Sequence, residues 1–393
     1  MSKLTIKDID FKNKTVLVRA DFNVPQDADL KITDDTRIRA TLPTLRYLLQ
    51  EGAKKIVLVS HLGRPDGKVV AKYSLKPVAQ RLNELLGEPV KFLDDCVGEN
   101  IKKDASGAKE RVVLLENLRF HAEEEANDPN FAKQLASLAD VFVNDAFGTA
   151  HRAHASTEGV AHYLKSAAGL LLEKEIEYLG NAVQNPKRPF MVILGGAKVS
   201  DKIGVIENLL PKCDAILIGG GMAYTFLKAQ GKNIGNSKLE KDKLDLAKSI
   251  LAKAGQLKKE IILPIDNIVV ENIDPNAKAE VMGENIPEGK IAVDIGPKSI
   301  ALFEEKLKAA KTIVWNGPLG IFEMDAFSKG TREIVKFISG LSATTIIGGG
   351  DTAAAVAKFK LEDKMTHIST GGGASLEFLE GKTLPGVAAL TDK

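Results

Sequence analysis

The sequence is poor in several things, and each shortage excludes a class. It has two cysteines, Cys96 and Cys213, far apart and with no CxxC pair. A disulfide scaffold is therefore excluded, and free, mostly buried thiols in a reducing cytosol are expected. No stretch approaches the roughly 20 apolar residues that span a bilayer. The opening MSKLTIKDID is polar where a secretory signal needs an apolar run, so a cytoplasmic location is expected. The net charge of +2 over 393 residues is close to balance. That argues against nucleic acid or an anionic membrane as the main partner. There is no Walker A pattern GxxxxGK[ST] and no clean GxGxxG, which sets aside P-loop NTPases and the standard dinucleotide fingerprint. Low-complexity segments are also missing.

What is present fits a soluble globular chain: 44% hydrophobic and 27% charged residues. Its length calls for two domains. Apolar runs rich in Val and Ile recur at 15–18, 55–59, 112–115 and 141–143, then at 190–194, 215–218, 260–263, 312–315, 344–347 and 366–368. Strands without alternation are buried on both faces, as in parallel sheets covered by helices. Segments such as 75–86, 241–254 and 298–310 carry apolar residues at helical spacing. The expected fold is α/β, with two Rossmann-like domains of parallel sheet flanked by helices. Residues 168–184 read as a long connecting helix ended by NPKRP. This gives a first domain of 1–167, to which 380–393 is added below, and a second of 185–379.

Charge is distributed unevenly between the halves. Nine of the eleven arginines lie before residue 170, whereas the second half is basic through lysine. Arginine's fork suits bidentate contact with carboxylate or phosphate, while lysine acts as a point charge. In open α/β sheets ligands sit at the carboxyl ends of strands. In the first half those ends read RADFN, SHLGRPDG, ENLRF and NDAFGTAHRAH. They carry Asp21, Asn23, His61, Arg64, Arg119 and Arg152, and Arg37 opens a following helix. A single arginine of this kind would be read as a surface ion pair. Four converging on one edge call for an anion, with Asp21 and Asn23 as hydroxyl-binding groups.

In the second half the strand ends carry glycine: LGGAK, IGGGMA, IGGGDT and STGGGAS. One such triplet would be a turn; four at equivalent positions make a phosphate and nucleotide site, because successive N–H groups at a helix start form an anion nest. Lys198 and Lys202, four apart, are expected on one helix face. Asp351 is the single acid within a glycine nest. It reads either as a Mg²⁺ ligand or as a helix N-cap. Glu323 reads as a ribose acceptor or a plain surface glutamate. His151, His154 and His162 make no metal set without nearby acids or cysteines.

These segments, together with VRADFNVP, DDTRIRAT, GGAKVSDKI, VWNGPLGIFE and HISTGGGASLEFLEGKTLPG, resemble the phosphoglycerate kinase family over essentially the whole chain. The resemblance implies that 3-phosphoglycerate binds Asp21, Asn23, Arg37, His61, Arg64, Arg119 and Arg152. It implies Mg-ADP or Mg-ATP at Lys202, Glu323 and Gly349–Thr352 (with Gly350 and Asp351 between), and Gly219 and Gly220 beside the base. A nucleotide contact that is often glycine in the family is Ala292 here. The C-terminal tail is expected to return to the first domain, and monomer is the family's expectation. Arg37, Lys198 and Lys202 would hold the transferring phosphoryl group, helped by backbone N–H groups of Gly371 and Gly372, with Asp351 on Mg²⁺. Hinge closure of the two domains would align donor and acceptor. A scaffold that had lost the chemistry would have lost Arg37, Lys202 or Asp351, and all three are present.

Overall fold

The computed structural model describes residues 3–393. Its strands are β1 (Thr15–Arg19), β2 (Lys55–Val59), β3 (Val90–Phe92), β4 (Val112–Leu114), β5 (Val141–Asn144), β6 (Lys165–Ala168), β7 (Phe190–Leu194), β8 (Ala215–Ile218), β9 (Glu260–Ile262), β10 (Asp266–Val270), β11 (Glu280–Gly283), β12 (Ile291–Ile295), β13 (Thr312–Asn316), β14 (Thr344–Gly348) and β15 (His367–Ile368). Two sheets of six strands, in orders β3-β4-β2-β1-β5-β6 and β15-β14-β13-β7-β8-β9, are parallel throughout. Their central strands are buried on both faces, which is why Val16–Val18 and Ile313–Trp315 read as unbroken apolar runs. Helices pack on the sheets through spaced apolar residues: Thr36–Gln50 buries Ile38, Leu42, Leu45 and Leu48.

The chain divides into two compact units, Met1–Ile176 with Thr383–Lys393, and Glu177–Lys382. The tail belongs to the first unit because its backbone is tied there. Gly386 N–H donates to Ala150 O at 2.9 Å, and Asn144 Nδ2 donates to Gly386 O at 3.0 Å.

Several elements differ from the sequence expectation. Ala168 ends β6, and the helix expected from 168 begins at Leu170 and runs to Gln184. The KSAA of β6 carries too little apolar signal to stand out as a strand. The short edge strand β3 is half exposed and was equally illegible. A third, antiparallel sheet, β11-β10-β12, lies in the second unit; polar Asn267 and Asp294 interrupt its apolar runs.

Asp145, directly after β5, fixes the start of helix Leu170–Gln184. Its Oδ1 accepts from Leu171 N at 2.9 Å and Leu172 N at 3.3 Å. The approach is so close that a Cβ on Gly169 would stand 2.2 Å from that oxygen. Oδ2 is buried without a partner. Burial outweighs these hydrogen bonds and pushes the carboxyl up to about 7. A carboxyl that holds its proton more tightly when folded loses stabilising effect as pH rises from its unfolded value towards that figure. Asp145→Asn keeps the Oδ1 acceptor and removes the titration. Relative to wild type, the variant should gain on the order of 2 kcal/mol between pH 5 and pH 8 in urea unfolding. A stability difference that does not move with pH would refute this.

Candidate active site

In the first sheet the chain steps outward from β1 through β2 and returns on the other side at β5. The switch point therefore lies between β1 and β5, where crevices form at the carboxyl ends. Asp21 and Asn23 follow β1, His61 follows β2, Arg119 follows β4 and Arg152 follows β5.

His61 is at the middle of this group and is buried. Arg19 Nη2 lies 3.3 Å from its Nδ1. A guanidinium only donates, so Nδ1 accepts and Nε2 carries the proton. Burial, then the charges of Arg19, Arg119, Arg37 and Arg152, hold the imidazole well below its ordinary pKa. His61 is thus a neutral donor among cations. Arg37 pairs with Asp21 through Nη1 and Oδ2. The Asn23 carboxamide oxygen accepts from Gly63 N at 2.9 Å, which fixes the loop after β2. Arg152 Nε lies 3.3 Å from His151 Nε2. Arg64 is exposed in its loop, apart from these contacts.

Arg119 is the most constrained of the group. It is 4% exposed; Nη1 donates to Gly63 O at 2.9 Å and Nε meets Glu125 Oε1 at 3.1 Å. Its Nη2 is buried with no partner. An unsatisfied buried donor on a cation is costly, and an anion at that point would satisfy it.

Arg19 was missed as a site residue. At the end of β1 and 1% exposed, it donates from Nε to Ser156 Oγ at 2.8 Å. That hydroxyl in turn donates to the buried Glu124 at 2.6 Å. The available signal was an arginine inside a strand buried on both faces, where a charge needs a specific partner.

In the second sheet the switch point lies between β7 and β13. Here the backbones that follow the two strands nearly touch: a Cβ on Gly195 would lie 2.1 Å from Pro318 O, and one on Gly317 2.2 Å from Gly195 O. Only glycine permits that approach. Two adjoining cavities open at this end and share Gly196, Ala197, Pro318 and Asp351. One, of about 470 Å³, is an apolar slot walled by Tyr224, Ile273, Ile291, Val293, Leu319 and Ile321, with Ala292 in its lining and Glu323 at its margin. The other, of about 320 Å³, is polar and lined by Lys198, Lys202, Asn316, Gly349–Thr352 and Gly372. An apolar slot beside a glycine-lined cavity that carries Lys198 and Lys202 suits a base with attached phosphates.

Several expectations for this half need correction. Lys198 is not on a helix with Lys202: the helix starts at Ile203, Lys202 is its N-cap, and Lys198 sits exposed in the preceding loop. Both still line the polar cavity. Gly371 lies inward, with its N–H donated to Ser369 Oγ at 3.1 Å, so it is not a phosphate donor in this arrangement. Gly372, the N-cap of helix Gly373–Leu379, does line the cavity. Gly219 is buried against Leu319 behind the slot, while Gly220 lines it. The N-cap reading of Asp351 falls, because Gly349 caps helix Gly350–Lys358. The Asp351 carboxylate is exposed at the junction of the cavities, a fit for a hard cation that bridges to phosphate. Glu323 is exposed and its backbone carbonyl accepts from Lys358 Nζ at 3.0 Å. The Thr352 hydroxyl is taken by Gly317 N at 2.6 Å.

Asn316 is the residue missed here. Its Oδ1 accepts from Lys202 Nζ, and its Nδ2 is buried and unpaired beside Gly349. Burial pulls the Lys202 pKa below its ordinary value, partly offset by Asp201, Asp351 and Glu380. An asparagine ending a buried strand was the only sequence signal.

Fold and sites together define a two-unit α/β protein with an arginine-rich crevice in one unit and adjoining glycine-lined cavities in the other. The family model described as phosphoglycerate kinase matches residues 6–382. Curated proteins named phosphoglycerate kinase from Koribacter versatilis and Dictyoglomus turgidum are 60% and 59% identical, with 100% of each chain covered. The solved structure of phosphoglycerate kinase from Coxiella burnetii superposes with a TM-score of 0.91 at 43% identity, covering 98% of both chains. That of the Pyrococcus horikoshii OT3 enzyme gives 0.84 at 36%, again over 98% of each. The chain belongs to the phosphoglycerate kinase family. It is accordingly a transferase that moves a phosphoryl group reversibly between 1,3-bisphosphoglycerate and ADP.

Arg119→Lys keeps the charge but loses the fork. Calorimetric affinity for 3-phosphoglycerate should fall by about ten- to a hundredfold. Unchanged affinity would mean that the orphaned amino group is not a ligand contact.

Proposed function

We propose that the acceptor is bound in the first unit by Asp21, Asn23, Arg37, His61, Arg64, Arg119 and Arg152, and the nucleotide in the second by Lys202, Gly220, Glu323 and Gly349–Thr352. The observation that carries the first half is the unpaired, buried Arg119 amino group beside a neutral His61. Asp21 and Asn23 take the glycerate hydroxyl, and the arginines take its charged ends. In the second unit the apolar slot takes the base and Glu323 the ribose. Asp351 would hold Mg²⁺ in Mg-ADP or Mg-ATP, whose charge neutralises phosphate oxygens.

For the transfer itself, Arg37, Lys198 and Lys202 stabilise the equatorial oxygens of the moving phosphoryl group. The N–H of Gly372 contributes at the start of its helix. Arg37 is free to serve this way because its Asp21 partner is shared with the acceptor's hydroxyl. No general base is required, since the attacking oxygen is already ionised at neutral pH.

Acceptor and donor on separate units must meet in line and with water expelled, so closure accompanies turnover. The enzyme works as a cytoplasmic monomer. Small-angle scattering with both substrates should show compaction relative to the free chain; identical curves would sink the closure. A coupled assay of ATP-dependent 3-phosphoglycerate consumption, read as NADH oxidation, tests the activity. In that assay Arg37→Ala should lose at least a thousandfold in turnover, about 4 kcal/mol of transition-state stabilisation. Its nucleotide affinity should stay within twofold. Collapse of nucleotide binding would contradict the division between units.

A further inference from the structure

Among the described residues, one group of three side chains of metal-ligand type gathers outside both sites: Asp95, Cys96 and His121 in the first unit. One ligand atom from each, a carboxylate oxygen, Sγ and an imidazole nitrogen, all lie within 4.8 Å of one another. Asp95 and Cys96 lie in the middle of the loop between β3 and helix Glu99–Gly107, and His121 follows the short helical turn Leu118–Phe120 that carries Arg119. The backbone brings these segments together: Glu116 N–H donates to Asp95 O at 3.3 Å. His121 Nε2 then meets Asp95 Oδ1 at 2.7 Å, and its ring packs on Phe131 with centroids 5.3 Å apart.

Burial is graded across the three. The Cys96 side chain is fully buried, whereas His121 and Asp95 keep 29% and 49% of their side chains exposed. Access from solvent therefore runs past the nitrogen and oxygen ligands and ends on sulfur. Burial first, then the carboxylates of Asp95, Glu124 and Glu116, raise the Cys96 pKa, so the negative charge favours a bound cation while the thiol keeps its proton until a metal displaces it. Glu116 is committed to Ser74 Oγ and Leu75 N, and Glu124 to Ser156, so both contribute charge without competing as ligands.

We propose that Asp95, Cys96 and His121 form a site for one zinc-class divalent cation. Sulfur with imidazole selects a borderline-soft ion over Mg²⁺, and three protein ligands leave a fourth position to water. On binding, the Cys96 S–H bond breaks, a metal–sulfur bond forms and the proton passes to solvent. The ion would pin the loop after β3 to the segment that presents Arg119, away from the substrate-contacting groups themselves.

The test uses the full, nucleotide-free chain titrated with Co²⁺ in the presence of excess Mg²⁺. One equivalent should bind, with a near-ultraviolet thiolate-to-cobalt charge-transfer band and visible ligand-field bands that Zn²⁺ abolishes. Cys213→Ser should keep the band and Cys96→Ser should lose it. His121→Gln and Asp95→Asn, both at partly exposed positions, should fold normally and, as losses of a ligand and not of an outer partner, weaken binding by at least about a hundredfold. Zn²⁺ should raise the melting temperature of wild type and not of these two variants. Absence of a charge-transfer band at stoichiometric Co²⁺, its survival in Cys96→Ser, or undiminished affinity in both His121→Gln and Asp95→Asn would overturn the proposal.

Discussion

Everything in the first unit's arginine cluster depends on keeping two guanidinium groups, those of Arg19 and Arg119, out of water beside two more that are only partly covered. Arg19 and Arg119 are almost fully buried, and with Arg37 and Arg152 they bear on a single imidazole. Such a group is unstable unless each charge is met. The compensation is distributed: Ser156 joins Arg19 to Glu124, Asp21 meets Arg37, and Glu125 meets Arg119. His61 adapts by staying neutral, which removes a repulsive charge and leaves a donor. Compensation stops short at Arg119 Nη2, which is buried with no hydrogen-bond partner; on the reading proposed above, an anion completes it.

The second unit reaches the same end by a different route. It brings backbone close to backbone at the switch point, and the price is the exclusion of side chains from Gly195 and Gly317. Glycine backbone then lines the polar cavity, while β12 supplies the wall of the slot through Ile291, Ala292 and Val293. Of the lysines that line the polar cavity, Lys198 is exposed and Lys202 is drawn partly inward, where Asn316 accepts from it. The asymmetry of arginine and glycine along the sequence thus corresponds to two different strand-edge designs, one built from side-chain charge and one from close-packed backbone.

Much of this was legible before the fold was known, for identifiable reasons. Strands such as β2 and β13 lie at the centre of parallel sheets, so both faces are apolar and the run is unbroken. The residues following the strands had to stand at the carboxyl edge of the sheet, and Asp21, His61, Arg119 and Arg152 do stand there. The failures are equally physical. KSAA and VKF strands are short or edge-lying and carry almost no hydrophobic signal. The pairing of Lys198 with Lys202 applied helical spacing to residues that precede the helix. Gly371 and Gly372 are indistinguishable in a GGG run, yet one N–H is consumed by Ser369 and the other residue lines the cavity. Asn316 and Arg19 act through partners remote in sequence, Lys202 and Glu124, which no local pattern reveals.

The central claim is that acceptor and nucleotide are recognised in different units by different chemistry. Backbone amide chemical-shift mapping of the intact chain, with each ligand added alone, addresses it most directly. With 3-phosphoglycerate, shifts should centre on 21–23, 61–64, 119 and 152 and leave 219–221 and 349–352 unmoved. Mg-ADP should give the reverse. Both ligands moving the same set, or 3-phosphoglycerate moving the glycine nest while the surroundings of His61 stay still, would contradict the account.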